Sequence, residues 1–206
     1  MNTSSTLPSR IYPIVDHPRW VERLGGAGAR FIQLRLKDLS AEDLRAQAEE
    51  GLTLAARHNV TLVLNDYWEL ALELGYPWVH LGQEDLDTAD LDAIRAANIA
   101  FGLSTHSYPE LERALACKPD YVALGPIWET KLKKMAFGPQ GVAKLTEWRK
   151  LCDKTPLVAI GGITLERMPQ CLQAGAHSVS AVSNFIRHDE PETQVQRWLK
   201  VADEAL

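Results

Sequence analysis

Three features of the sequence predict an α/β protein built as one closed (β/α)8 domain. Eight short apolar runs recur at fairly even intervals, at residues 11–15, 31–34, 61–64, 78–81, 100–103, 121–124, 157–160 and 179–182. Most of the stretches between them carry helical patterning. The chain has 206 residues, close to the roughly 200 that the smallest eight-unit TIM barrels use. Each run is rich in Val, Ile and Leu and only weakly alternating, as parallel strands covered on both faces should be. An open doubly wound sheet has the same local pattern. It usually stops at five or six strands and often places a Gly-x-Gly-x-x-Gly turn after the first, whereas the first run here leads into Asp16-His17-Pro18.

The intervening segments support the same reading. Ser40 followed by Asp43 opens a helix as an acidic capping box, and Leu44, Ala48, Leu52 and Ala55 then share one face. Residues 110–117, 141–152, 165–174 and 192–206 read as further helices. Gly28, Gly75 and Gly175 stand where helices hand over to strands, in keeping with a C-cap. The single domain spans residues 1–206, with residues 1–9 expected to be a flexible N-terminus.

Bulk properties exclude several classes of partner. A net charge of −5 gives no footprint for nucleic acid or a membrane surface. No stretch approaches the about 18 consecutive apolar residues of a membrane span, and the polar start of the chain does not resemble a signal peptide. Cys117, Cys152 and Cys171 are far apart and lack any CxxC spacing. They read as reduced core thiols of a cytoplasmic protein.

In a barrel, chemistry belongs just beyond the C-terminal end of each strand. After the second run, Gln33, Arg35 and Lys37 alternate with Leu34 and Leu36. The polar set then shares one face toward the mouth and makes an anion site. After the third and fourth come Asn65-Asp66 and Gln83-Glu84-Asp85. Asp66 and Asp85 either cap the helices that follow or approach each other to hold Mg2+ together with substrate phosphate oxygens. The fifth run leads to Ser104, Thr105 and His106, which contact substrate or simply begin the next helix. The sixth leads to the longest strand-to-helix connection, from Trp128 to Gln140, whose length and basic character suit a lid. Lys131, Lys133 and Lys134 in it form either a solvated run or a cover for a leaving phosphate. Gly161 and Gly162 after the seventh run, with Ser183 and Asn184 after the eighth, match the phosphate cradle often built there. His80 lies within a strand and reads as a satisfied core histidine, and Trp20, Trp78, Trp148 and Trp198 read as packing residues. The set describes two anion pockets, one of them metal-assisted, for small phosphorylated substrates.

Taken in order, these pieces resemble the thiamine phosphate synthase family. Its specific motifs are Gln33–Lys37, Asn65-Asp66, His80 to Asp85, Gly102 to His106, Gly125-Pro126-Ile127, Lys133, Pro139-Gln140-Gly141, 160–163 and Val182-Ser183. The resemblance covers residue 11 to the last helix. It implies a magnesium-dependent transferase that couples 4-amino-5-hydroxymethyl-2-methylpyrimidine diphosphate to a thiazole phosphate, releasing pyrophosphate. By the same resemblance Gln33, Arg35, Lys37, Asn65, Ser104 and Lys133 hold the pyrimidine diphosphate, with Arg35, Lys37, Lys133 and Ser104 acting on it during reaction. Asp66 and Asp85 hold the metal. Thr130, Lys131, Leu132, Gly162, Val182 and Ser183 surround the thiazole phosphate.

The chain departs from the family pattern at Glu129-Thr130-Lys131-Leu132, where Leu132 removes a hydroxyl, and at Tyr67, where an acidic residue is common. Two rivals share the barrel. One is a thiazole tautomerase using His106, and the other is a non-catalytic regulator that binds thiazole phosphate. A homodimer is expected from barrels in general.

Overall fold

The computed structural model describes residues 7–129 and 138–205. The strands are β1 (Ile11–Val15), β2 (Phe31–Leu34), β3 (Thr61–Asn65), β4 (Trp78–Leu81), β5 (Ala100–Thr105), β6 (Tyr121–Leu124), β7 (Leu157–Ile160) and β8 (Ser178–Ala181). They pair in sequence order as a closed barrel, β8 returning to β1, with every pairing parallel. Around them lie α1 (Arg19–Gly26), α2 (Ala41–His58), α3 (Trp68–Leu74), α4 (Leu91–Ala96), α5 (Tyr108–Ala116), α6 (Gly141–Leu151), α7 (Met168–Gln173), α8 (Ser183–Ile186) and α9 (Pro191–Glu204). The predicted barrel is the observed fold. None of the helices among the described residues is long and apolar enough to cross a membrane.

Strand alternation sorts the core into two parts. Ile11, Val15, Ile32, Leu34, Leu62, Leu64, Val79, Leu81, Phe101 and Leu103 join a large cluster beneath the helices. Their strand neighbours Tyr12, Phe31, Val63, Tyr121, Ala123 and Val158 fill the barrel interior, where Trp78, Ile160 and Leu7 pack against them. Tyr12 stacks on Phe31 with centroids 4.1 Å apart. The interior is therefore a packed plug of rings, and in barrels of this kind ligands bind at the C-terminal face of the strands.

Boundaries differ from expectation where local geometry intervenes. β5 runs on to Thr105 because Ser104 and Thr105 still pair with Ala123 and Leu124. β8 ends at Ala181 because Val182 has turned to the helical region, with φ −108 and ψ −72. α7 begins at Met168, later than residue 165, with Pro169 in its first turn, where a missing N–H costs nothing. Gly28, Gly75 and Gly175 all have positive φ, as helix-to-strand hand-overs require. Cys117, Cys152 and Cys171 are free. Burial pushes the thiols of Cys152 and Cys171 up to about 11 and about 12, so both stay protonated.

The Ser40 cap forms as predicted: its side chain accepts from the Asp43 N–H at 3.1 Å and its hydroxyl donates to Asp43 Oδ2 at 2.7 Å. Ser40→Ala is expected to cost about 1 kcal/mol, read as a lower urea midpoint at unchanged slope. An unchanged midpoint would mean that tertiary packing alone sets the start of α2.

Candidate active site

The upper interior of the barrel is built on one register. Asn65 of β3, His80 of β4, Gly102 of β5 and Tyr121 of β6 are successive partners across the sheet. Gly102 is needed there, because a Cβ on it would stand 2.0 Å from Tyr121 Cζ. The ring of Tyr121 thus lies over a strand that lacks a side chain at that point. Its hydroxyl meets His80 Nδ1 at 2.7 Å and Tyr12 Oη at 2.9 Å. Gln33 Nε2 donates to Tyr12 Oη at 2.9 Å, and His80 Nε2 lies 2.8 Å from Ser104 Oγ. Burial lowers the His80 pKa to about 4, against an opposing pull from Asp66, so the imidazole is neutral at ordinary pH. Burial also raises both phenols well above their usual range, so they keep their protons.

Above this floor the mouth is charged. The Arg35 N–H donates to Val15 O at 2.8 Å and prolongs the β1–β2 pairing past the strand end. Leu34 and Leu36 go to the outer core, while Arg35 and Lys37 are exposed. The expected alternation of the Gln33–Lys37 segment is the one observed. Arg35 and Lys37 share a cleft with Asp16, His17 and Arg19 from the β1–α1 connection. Lys37 forms an ion pair with Asp66 and lies 5.9 Å from the centre of the Tyr67 ring. Tyr67, where an acidic residue is common, therefore faces a cation through its ring.

Asp66 does not cap α3. The residue in that position is Tyr67, with no side-chain capping bond, while Asp66 has φ 67 and donates its N–H to His80 O at 2.9 Å. Asp85 opens a 3-10 turn, Asp85–Asp87, and its Oδ2 accepts the Gly82 N–H at 2.6 Å. Desolvation raises the Asp85 carboxyl pKa, the Gly82 N–H opposes this, and nearby Asp66 raises it again. Among the described residues no group of three or more His, Cys, Asp or Glu side chains could hold a metal.

The remaining predicted residues fall on the far side of the mouth. Gln83 Nε2 donates to Ser104 O at 2.7 Å and pins the end of β5. His106 lies beside Ser107, the cap of α5, with Nδ1 2.8 Å from Glu110 Oε2. Gly161 and Gly162 have φ of 94 and 68, and a Cβ on Gly162 would meet Glu129 O at 2.6 Å. The chain after β7 thus passes against the start of the long connection, where Trp128 N donates to Gly161 O at 3.0 Å. Arg167 donates to Gly162 O at 2.7 Å and covers the Trp128 ring at 5.1 Å. Val182 and Ser183 begin α8, and Asn184 Nδ2 donates to Ile163 O at 2.9 Å, tying the β7 and β8 loops together. Glu129 is exposed. Thr130, Lys131, Leu132 and Lys133 lie outside the described residues.

A sequence profile of the thiamine monophosphate synthase family matches residues 11–185. The chain belongs to this family. It is accordingly an enzyme, of the transferase class. The thiamine-phosphate synthase of Rhizobium etli is 50% identical over 188 residues, covering 91% of this chain and 92% of that protein. The thiamine-phosphate synthase of Salmonella typhimurium is 44% identical over 203 residues, covering 98% and 93%. Among solved structures, the thiamine phosphate pyrophosphorylase of Pyrococcus furiosus has the same fold, with a TM-score of 0.85, 23% identity and full coverage of both chains.

Two parts of the site lie outside the residues expected from sequence. Asp16, His17 and Arg19 wall the basic cleft, though nothing in the sequence marks them beyond their place after the first strand. Tyr12 and Tyr121 were read only as members of apolar runs. His80 is the satisfied core histidine that its place within a strand predicts: both its nitrogens are bonded, one of them to the predicted site residue Ser104. The available signal was a polar tip at the inward position of several strands, with a glycine between two of them.

Proposed function

We propose that this chain couples 4-amino-5-hydroxymethyl-2-methylpyrimidine diphosphate to a thiazole phosphate, giving thiamine phosphate and pyrophosphate. One observation carries the reading: Asp66, just past β3, is ion-paired with Lys37, which shares a cleft with Arg35, and Asp85 follows the next strand. Two carboxylates facing a cluster of cations suit a diphosphate with a divalent ion better than a lone phosphate.

The donor set fits Mg2+. Two carboxylate oxygens supply hard ligands, and the rest of an octahedron would come from diphosphate and water. Bound there, the ion would add positive charge beside the departing pyrophosphate. The chain's own cations do the same work. Arg35 offers a planar fork for phosphate oxygens and Lys37 a point charge. Lys133 is the expected third cation, from the long connection. Ser104 donates a hydrogen bond to the same substrate, with Gln33 and Asn65 beside it. The C–O bond to pyrophosphate breaks first, leaving a pyrimidine-methyl cation that the thiazole nitrogen captures. No protein nucleophile is needed, so catalysis rests on charge stabilisation and alignment. Gly162, Val182 and Ser183 hold the thiazole phosphate, with Thr130 as a further contact and Lys131 in place of the hydroxyl that Leu132 lacks. The reading carries with it a cytoplasmic enzyme without nucleic-acid or membrane partners, active as a homodimer.

The test is pyrophosphate release with both substrates, with and without Mg2+, and product identified by mass. Magnesium-dependent thiamine phosphate supports the reading. Absence of pyrophosphate would sink it and turn attention to proton transfer at His106. Lys133→Ala is expected to lower turnover by about tenfold or more; wild-type turnover in that variant would make Lys133 a surface charge.

A further inference from the structure

We propose that His80 is a positioning residue for this reaction. Through the buried row Gln33–Tyr12–Tyr121–His80–Ser104 it holds the Ser104 hydroxyl so that its proton points into the mouth. The inference rests on the reading above, in which Ser104 meets the pyrimidine diphosphate.

The polarity of the row follows from counting donors. Gln33 Nε2 is a donor, so Tyr12 Oη accepts from it at 2.9 Å. Tyr12 is 1% exposed, and Tyr121 Oη is the other partner of its hydroxyl among the described residues. A buried O–H must find an acceptor, so Tyr12 donates to Tyr121. Tyr121 is fully buried and for the same reason must pass its proton to His80 Nδ1, 2.7 Å away. A neutral imidazole whose Nδ1 accepts carries its hydrogen on Nε2. Nε2 therefore donates to Ser104 Oγ at 2.8 Å. Ser104 is partly exposed and receives a bond on its oxygen, leaving its own hydrogen for a ligand. A substrate oxygen or ring nitrogen meets a donor there, not a hydroxyl free to turn either way.

Two independent features hold the row in place. Gly102 gives the Tyr121 ring its seat, since any Cβ would overlap it. Gln83 Nε2 fixes the Ser104 carbonyl at 2.7 Å, so Ser104 can adjust only its side chain. The Tyr121 and His80 rings also stack, with centroids 5.6 Å apart and planes at 16°.

The first measurement is the His80 tautomer, from two-bond 1H–15N correlations of full-length protein labelled with 15N-histidine. A proton on Nε2 is expected, and a proton on Nδ1 would overturn the proposal. The second is kinetics on His80→Phe, His80→Gln and Tyr121→Phe. His80→Phe keeps a ring but leaves Ser104 without its donor, and should raise the pyrimidine-diphosphate KM about tenfold. The thiazole-phosphate KM should not move. His80→Gln, whose amide nitrogen reaches the Nε2 position, should recover most of the loss. Tyr121→Phe keeps His80 but frees its tautomer, and should fall between. Folded His80→Phe and Tyr121→Phe with wild-type KM for both substrates, or with equal rises for both, would reduce the row to packing and overturn the proposal. Wild-type protein that releases no pyrophosphate would instead defeat the synthase reading. The positioning role would fall with it, and the tautomer would still decide the polarity of the row.

Discussion

Asp66→Asn is expected to lower kcat/KM by about a hundredfold while leaving the barrel folded. Folding should survive because Asp66 has φ 67, a left-handed conformation in which Asn is as comfortable as Asp. Its N–H bond to His80 O is a backbone bond and persists. The Lys37 ion pair is lost, but both side chains are about a third exposed, so little stability depends on it. The loss in activity has two sources under the proposed reading. A magnesium ligand goes, and Lys37 loses the partner that holds it beside the diphosphate. Titrating Mg2+ separates them. Loss of the ligand moves the activation midpoint to higher concentration, and excess ion restores part of the rate. Loss of Lys37 placement alone leaves the midpoint where it was. Asp85→Asn should behave like Asp66→Asn, since an amide oxygen can still accept the Gly82 N–H. A pair of variants with unchanged midpoints and rates would remove the metal from this site.

The barrel was legible because its evidence is local. Each strand is a short apolar run, three of the helix-to-strand hand-overs carry a glycine, and the Ser40 cap lies three residues from its partner. The positions of Gln33, Arg35, Lys37, Asp66, Asp85 and Gly162 at strand ends followed once the strands were placed. What a single sequence could not supply was the choice between two uses of one residue. Asp66 as a helix cap and Asp66 as a ligand have the same sequence signature, and only the backbone, with Tyr67 in the capping position, removes the cap. Nor could it supply pairing across the barrel. Tyr12 and Tyr121 are 109 residues apart, and their contact depends on the register of every strand between. Each reads as an aromatic in an apolar run until that register is known. Trp148 and Trp198 carry no such ambiguity, because both interpretations of a buried helix tryptophan are packing.

The largest stability effect is expected at Gly102. A Cβ added there would stand 2.0 Å from Tyr121 Cζ and 2.2 Å from Cε1, inside any tolerable contact. The overlap is hard to relieve by moving the ring, which meets Trp78 at 6.0 Å, His80 at 5.6 Å and Phe31 at 6.3 Å between centroids. Strand β5 cannot retreat either, being bonded to β4 and β6 on its two sides. Gly102→Ala should therefore cost at or above the upper end of the ~1–3 kcal/mol usual for overpacking. At roughly 2–4 °C per kcal/mol for a domain of this size, the melting temperature should fall by about 6 °C or more. The small gain in strand propensity of Ala over Gly is too weak to offset this. Activity should fall further than stability explains, since a displaced Tyr121 leaves His80 Nδ1 without its donor and the Tyr12 hydroxyl without its acceptor. The double variant Gly102→Ala/Tyr121→Leu separates the two effects. Removing the ring should return much of the melting temperature, whereas the hydrogen-bonded row is absent and the pyrimidine-diphosphate KM should stay raised. A Gly102→Ala protein that melts like the wild type would mean that Tyr121 does not occupy the space over β5, and the row built on its hydroxyl would go with it.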